Sequence, residues 1–429
     1  MSRQRDVRRA DVAPGTAGAD HLLDLLPAAL AGDGPALAIA PAGDDPASVR
    51  AQRAVLPDAS LLVDDDVAVV LATSGSTGGP RGVLLTAAAL LASGEAALTA
   101  LVGGAAAWSL CLPVTSAGGL AVLVRSLMSS TEPEVVPSIG GASRFTAAQF
   151  AEATWRLDPS LPACTSLVPT QAALLLDDEE GLAALRAYDA VLIGAARTPS
   201  ALLERLRAAQ VAAVPTYGMT ETCGGLVYDG VPLPGAGVRI GETGRIELSG
   251  PMLARGYLGG GMDVADGWLR TQDAGRLVDG RLEVLGRLDD VVQVGGVNVA
   301  VGAVQDVLAA HCADAVVLAD PDERWGARLT AYVVLAATSA GGADVVPDAV
   351  HAVDPVDAGA DVVPDAVHAF DPVDAGADVV PDAVVETLSA AVTAQLGRAA
   401  VPRTWVRLAA VPLLPNGKPD RIALREIVR

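Results

Sequence analysis

Three stretches of this 429-residue chain set reactive side chains at spacings that chemistry can use. The first is PNGKPDR near the C-terminus. Lysine and arginine together number 30, and Lys418 is the sole lysine among them. An ε-ammonium is a compact charge on a flexible stem that can follow a moving oxyanion, whereas guanidinium is a flat, rigid fork. Lys418 is therefore a candidate for neutralising charge during a reaction; the plainer alternative is a Pro-Asn-Gly surface turn. The second stretch, LATSGSTGGPRGVLLT (71–86), gathers four glycines with the hydroxyls of Thr73, Ser74, Ser76 and Thr77. Glycine lets the backbone approach an anion, amides and hydroxyls donate to it, and a following helix N-terminus favours negative charge. Read as strand, loop and helix, this is a phosphate cradle holding Gly75, Gly78 and Arg81 as well. It is not a Walker loop, because Gly82 rather than Ser or Thr follows Arg81. A flexible linker is the plain alternative. The third stretch is TYGMTETCGG (216–225). Tyr217 has a face that can stack on a base, Thr220 a hydroxyl for a phosphate, and Glu221 a carboxylate for Mg2+.

These stretches need elements to position them. VAVVLA is a short apolar strand, and TAAALLASGEAALTALV (86–102) is helical. WSLCLP, CTSLVP, YDAVLIGA and VAAVPTYG read as buried strands between Ala- and Leu-rich helices, the pattern of an α/β domain with a mostly parallel sheet. The third stretch then follows a strand and falls on the C-terminal edge of the sheet, where α/β proteins bind ligands. From about residue 238 short strands with Gly turns predict a β subdomain, with an Asp-Gly hairpin in LVDGRLEVLG. The expected organisation is a large domain over 1–286 and a small, mobile α+β domain over 287–429. A Gly-Gly hairpin (VVQVGGVNV) lies near the start of the small domain.

Residues 343–385 interrupt that small domain with a tandem repeat of period 17: ADVVPDAVHAVDPVDAG, ADVVPDAVHAFDPVDAG and a partial third copy. Two prolines per unit oppose helix and sheet, so a solvated loop is the expectation. His351 and His368 leave metal binding there as a minor alternative. The repeat supplies ten aspartates to a net charge of −21. That charge excludes a nucleic-acid partner, which needs a basic face. No apolar run is long enough for a membrane span, and no apolar segment follows the basic N-terminus as a secretory signal requires. The four cysteines (Cys111, Cys164, Cys223, Cys312) show no CxxC spacing and read as reduced, buried thiols of a cytoplasmic protein.

TSGSTGGPRG, YGMTET, TQD (271–273), GRLDDVVQVGG (286–296) and PNGKPDR occur in the order and rough spacing seen in adenylate-forming enzymes, and the chain resembles that superfamily from about residue 60 onward. Within it the chain is most similar to the o-succinylbenzoate–CoA ligases of menaquinone synthesis, in its short N-terminal region, TSLVPTQ and TETCGGLVYDGVPLPG. The resemblance implies that ATP activates an acid as an acyl-adenylate, after which the thiol of coenzyme A displaces AMP. By motif, Thr73, Ser74, Gly75, Ser76, Thr77, Gly78 and Arg81 would hold the β- and γ-phosphates. Gly194, Ala195, Ala196 and Tyr217 would flank adenine, and Gly218 and Met219 would be further nucleotide-binding residues. Thr220 would bind the α-phosphate, Glu221 Mg2+, and Asp273 and Arg287 the ribose. Asp289 would be the hinge, Gly295 and Gly296 would line the pantetheine tunnel, and Lys418 would neutralise charge in the first step. Thr115, Ser116, Arg125, Ser126, Thr170 and Gln171 are the candidates for the second carboxylate of the acid, with a surface arginine as the plain alternative for Arg125. The chain departs from the family in having Arg81 where lysine is usual, Thr115 and Ser116 where a histidine is expected, and the repeat. The open alternatives are a ligase for another aryl or aliphatic acid, and a non-catalytic nucleotide-binding relative. Partners are small molecules, and self-association is left open.

Overall fold

The computed structural model describes residues 3–43, 47–56, 61–73, 80–140, 144–335, 378–412 and 419–428. The tandem repeat up to residue 377, with His351 and His368, and the catalytic candidate Lys418 lie outside them. So do Ser74, Gly75, Ser76, Thr77 and Gly78. The described chain forms two compact units. One runs to Thr271 and includes Arg276–Glu283; the other takes Gln272–Gly275 and continues from Val284.

The first unit contains two sheets that carry site residues. One is mixed: β1 (Gln4–Val12), β2 (Ala36–Pro41) and β4 (Val67–Ala72) are parallel, while β3 (Leu62–Asp64), β5 (Gly82–Thr86) and β15 (Gly256–Tyr257) add antiparallel partners. Every residue of β4 is buried, as an apolar run without alternation demands. The other sheet is mostly parallel. β7 (Glu134–Val135), β6 (Ala107–Leu110), β8 (Ala163–Leu167), β9 (Ala190–Ile193) and β10 (Ala213–Met219) run the same way, and β11 (Gly224–Tyr228) and β12 (Val231–Pro232) close one edge antiparallel.

One expectation needs correction. The phosphate loop does not open directly into a helix. It returns as β5, antiparallel to β4, and the helix Ala87–Val102 begins only after Thr86, whose Oγ1 accepts the Ala89 amide at 3.1 Å. GVLLT is apolar enough to lie inside the mixed sheet between β4 and β15, and the Thr86 cap sets the helix start behind it. The helix N-terminus is thus separated from the loop sequence by β5.

The β subdomain holds β13 (Gly237–Ile240), β14 (Arg245–Ser249), β16 (Val264–Ala265), β17 (Trp268–Val278) and β18 (Arg281–Arg287). Asp279-Gly280, at φ 50° and 77°, makes the β17–β18 turn that the Asp-Gly pair predicts. In the second unit β19 (Val291–Val294) and β20 (Val297–Ala300) form the Gly-Gly hairpin and join β21 (Asp314–Asp322), β22 (Gly326–Val334), β23 (Asp378–Val379) and β24 (Thr404–Arg407). Helices Val301–Ala309 and Asp382–Leu396 bury Val304, Leu308, Leu388 and Val392 in one core with Val317 and Leu329.

The four thiols are free, and three of them are buried. Burial pushes Cys111 and Cys312 up to about 11 and Cys164 and Cys223 to about 12, so none supplies a thiolate near neutrality. Beneath the parallel sheet, the Tyr188 hydroxyl donates to Ser109 Oγ at 2.8 Å and lies 2.9 Å from Thr154 Oγ1, while Ser109 Oγ donates to Thr165 Oγ1 at 2.9 Å. Tyr188→Phe keeps the ring against Phe150 but strips this network of its centre. It is expected to lower unfolding free energy by about 1–2 kcal/mol in urea titration, leaving turnover unchanged.

Candidate active site

Parallel pairing brings the ends of β6, β8, β9 and β10 to one edge, so the segments that follow them converge. After β6 come Thr115 and Ser116; after β8, Thr170 and Gln171; after β9, Gly194, Ala195 and Ala196; and at the end of β10, Tyr217, Gly218, Met219, Thr220 and Glu221. Several of these side chains shape the edge itself. Ser116 caps the helix Ala117–Met128, accepting from Gly119 N at 3.2 Å and donating to the Pro113 carbonyl at 2.7 Å. The Gln171 amide accepts from Val168 N and donates to the Cys111 carbonyl, each at 3.0 Å. Thr170 is exposed.

Close backbone approach marks the segments that follow β9 and end β10. Ala195 sits at φ 64°, and a Cβ on Gly194 would lie 2.2 Å from Thr216 Oγ1. Gly218 marks a register shift between β10 and β11, where a Cβ would meet the Gly224 carbonyl oxygen at 2.0 Å. Thr222 then staples the turn. Its Oγ1 accepts from Met219 N at 2.9 Å and contacts the carbonyls of Met219 and Gly224 at 3.0 and 2.6 Å. Gly218→Ala forces backbone apart, so we expect about 1–3 kcal/mol of destabilisation by denaturant titration and weaker ATP binding by calorimetry.

The turn is tied to the phosphate loop by residues 254–258. Glu221 is 8% exposed, and its Oε1 accepts from the Tyr257 hydroxyl at 2.7 Å. The Arg81 guanidinium lies 4.2 Å from the Tyr257 ring centroid. Thr73 and Arg81 close the mouth of the loop: Thr73 N donates to the Arg81 carbonyl and Arg81 N to Thr73 Oγ1, both at 2.9 Å. A cation, a ring and a carboxylate are thus stacked beside the loop. Glu221 fits a cation shared with phosphate oxygens rather than a protein cage, since no cluster of three His, Cys, Asp or Glu exists among the described residues.

Arg125 corrects the surface reading. It is 2% exposed on the helix Ala117–Met128; its Nη2 donates to the Tyr228 hydroxyl at 2.9 Å, and its guanidinium carbon lies 5.2 Å from the Trp108 ring centroid. Nε of Arg125 and Oγ of the adjacent Ser126 are buried without partners among the described residues, and no carboxylate pairs with this guanidinium there.

The remaining candidates belong to the second unit. Asp273 is half-buried on β17, and Arg287 ends β18. The backbone of Asp289 lies in a 3-10 turn, and its side chain is outside the described residues. Gly295 and Gly296, at φ 60° and 84°, form the hairpin turn, where the Gly295 amide donates to the Trp325 carbonyl at 2.9 Å. Sequence reasoning missed Tyr257, Thr222, Thr216 and Tyr228. Only the RGYLGG stretch around Tyr257 carried a local signal, a Gly-rich turn beside an aromatic.

Comparison with known proteins identifies the family. Residues 20–258 match the AMP-binding enzyme family. A probable 2-succinylbenzoate–CoA ligase of Mycobacterium tuberculosis is 41% identical over 314 residues, covering 70% of this chain and 81% of the relative. A 2-succinylbenzoate–CoA ligase of Escherichia coli is 32% identical over 278 residues, covering 61% of this chain and 57% of the relative. The fold is shared with the o-succinylbenzoate CoA synthetase of Bacillus subtilis solved with its acyl-adenylate intermediate, at TM-score 0.65 and 21% identity, covering 97% of this chain and 88% of that one. A glycine and hydroxyl loop at a strand end, a carboxylate beside it, and a family match spanning both lead to one assignment: the chain belongs to the AMP-binding enzyme family.

Proposed function

We propose that this protein is an ATP-dependent acid–thiol ligase that makes o-succinylbenzoyl-CoA, AMP and pyrophosphate through an acyl-adenylate, as a step of menaquinone synthesis. The reaction class follows from the family and from the 41%-identical ligase relative. The observation that favours this acid is Arg125: a buried guanidinium with aromatic and hydroxyl neighbours, an unpartnered Nε, and no carboxylate partner among the described residues. A buried cation costs free energy unless it is paired, and a dicarboxylic substrate brings the pairing charge.

In the first half-reaction the acid's carboxylate oxygen attacks the α-phosphorus, and pyrophosphate leaves. Loop amides and hydroxyls with Arg81 hold the terminal phosphates, Thr220 the α-phosphate, and Gly194, Ala195, Ala196, Tyr217, Gly218 and Met219 the base. Asp273 and Arg287 hold the ribose. Glu221 would hold Mg2+, which when bound would supply positive charge to offset that of the phosphates. Lys418 neutralises charge at the reacting phosphorus. The small domain, 287–429, then turns about Asp289 and withdraws Lys418, and the thiol of coenzyme A enters past Gly295 and Gly296. Thiol sulfur attacks the acyl carbon, and AMP departs with one former carboxylate oxygen.

No helix among the described residues is long and apolar enough to cross a membrane. We place the reaction in the cytoplasm, where ATP and coenzyme A are available. Pyrophosphate exchange with a panel of acids tests the substrate. o-Succinylbenzoate is expected to give the highest kcat/KM; a higher value for an acid with one carboxylate would refute the assignment.

A further inference from the structure

We propose that Tyr257 is a positioning residue for nucleotide activation: its hydroxyl fixes the Glu221 carboxylate through one oxygen and leaves the other for the phosphate-bound cation, while its ring seats Arg81 at the closing end of the phosphate loop. This rests on the reading of Glu221 as a ligand of that cation.

The geometry of the strap at residues 254–258 carries the inference. Its backbone is stitched to both neighbours: Ala254 N donates to the Glu221 carbonyl at 2.8 Å, Arg255 N to Leu84 O at 2.9 Å, and Leu258 N to Gly82 O at 2.8 Å. A Cβ on Gly82 would lie 2.7 Å from Leu258 Cδ1 and 3.2 Å from the Val55 carbonyl oxygen, so the strap passes close to the end of the loop. Arg255 pairs with Asp64 at 3.0 Å and Asp66 at 3.4 Å on the strand side. Tyr257 is therefore held between two functional segments that are otherwise far apart in sequence. Its hydroxyl is the only side-chain donor to the buried Glu221 carboxylate among the described residues, and Oε2 is left without a partner there. A buried carboxylate with one oxygen engaged has a defined orientation, the usual service of an outer-shell partner to a metal ligand. Over the face of the same ring, Arg81 gains a cation–π contact that seats its charge beside the loop's closing end.

Calorimetric ATP binding, with saturating Mg2+ and with EDTA, tests this without turnover. In the unaltered protein Mg2+ is expected to tighten ATP binding. In Tyr257→Phe that tightening should fall on the order of tenfold, with affinity in EDTA unchanged. Tyr257→Leu, which also removes the seat of Arg81, should weaken ATP in EDTA as well. Equal Mg2+ tightening in Tyr257→Phe and the unaltered protein would overturn the positioning role. An equal loss with and without Mg2+ would overturn it too, marking Tyr257 as a purely structural prop. Absence of Mg2+ tightening in the unaltered protein would overturn both this inference and the reading of Glu221, leaving the acid assignment to its own test.

Discussion

Lys418→Ala is expected to slow adenylation by a factor of about 10²–10³, roughly 3–4 kcal/mol, while thioester formation from a pre-made adenylate stays near normal. The asymmetry follows from where charge accumulates. During adenylation an attacking carboxylate meets an α-phosphate already flanked by two more phosphates. A positioned cation lowers that barrier only if it acts in the transition state. In the second step the leaving group is AMP, pyrophosphate has gone, and a lysine at the phosphorus would obstruct the incoming thiol. Lys418→Arg is expected to rescue poorly, because a planar fork does not substitute for a compact ammonium on a flexible stem. The check is single-turnover kinetics of each half-reaction. Equal loss in both would contradict the assigned role.

Arg125→Gln should raise the KM for o-succinylbenzoate by about 10²-fold, roughly 2–3 kcal/mol, with ATP binding unaffected. The guanidinium is enclosed by Trp108, Tyr228 and the helix that carries it, and it has no carboxylate partner among the described residues. In this setting a charge-assisted contact with a second carboxylate is largely unscreened by solvent. The same argument predicts that the variant folds at least as stably as the unaltered protein, since an unpaired buried cation has been removed. Acids with a single carboxylate should lose nothing in the variant. Steady-state kinetics on the two acid classes and urea titration check both halves; a uniform loss across acids would show that Arg125 only supports the fold.

What the sequence made legible was local. The Gly and hydroxyl loop, the turn from Met219 to Cys223, and both diagnostic hairpin turns declare themselves within a few residues, because turn chemistry depends on side chains that are neighbours in the chain. Arg125 was readable in principle. AGGLAVLVRSLM is apolar almost all round, and a helix of that kind is buried, taking its arginine inside with it. The return of the chain as β5 was hidden because GVLLT runs straight into an Ala- and Leu-rich helix, and only pairing with β4 and β15 decides its conformation. β1 was overlooked because QRDVRRADV is charged and buries only Val7, Ala10 and Val12. Tyr257 was out of reach for a different reason. Its two partners, Arg81 and Glu221, come from remote parts of the chain, and no periodicity encodes a contact made through sheet pairing.

The central claim is that a carboxylate oxygen of the acid becomes bonded to the α-phosphorus of ATP. Turnover of o-succinylbenzoate labelled with 18O in both carboxylates, in the presence of ATP and coenzyme A, tests it directly by mass spectrometry. The account predicts one 18O in each AMP released, with unlabelled pyrophosphate and a stoichiometric thioester. Label in inorganic phosphate accompanied by ADP, or thioester formed with unlabelled AMP, would contradict it.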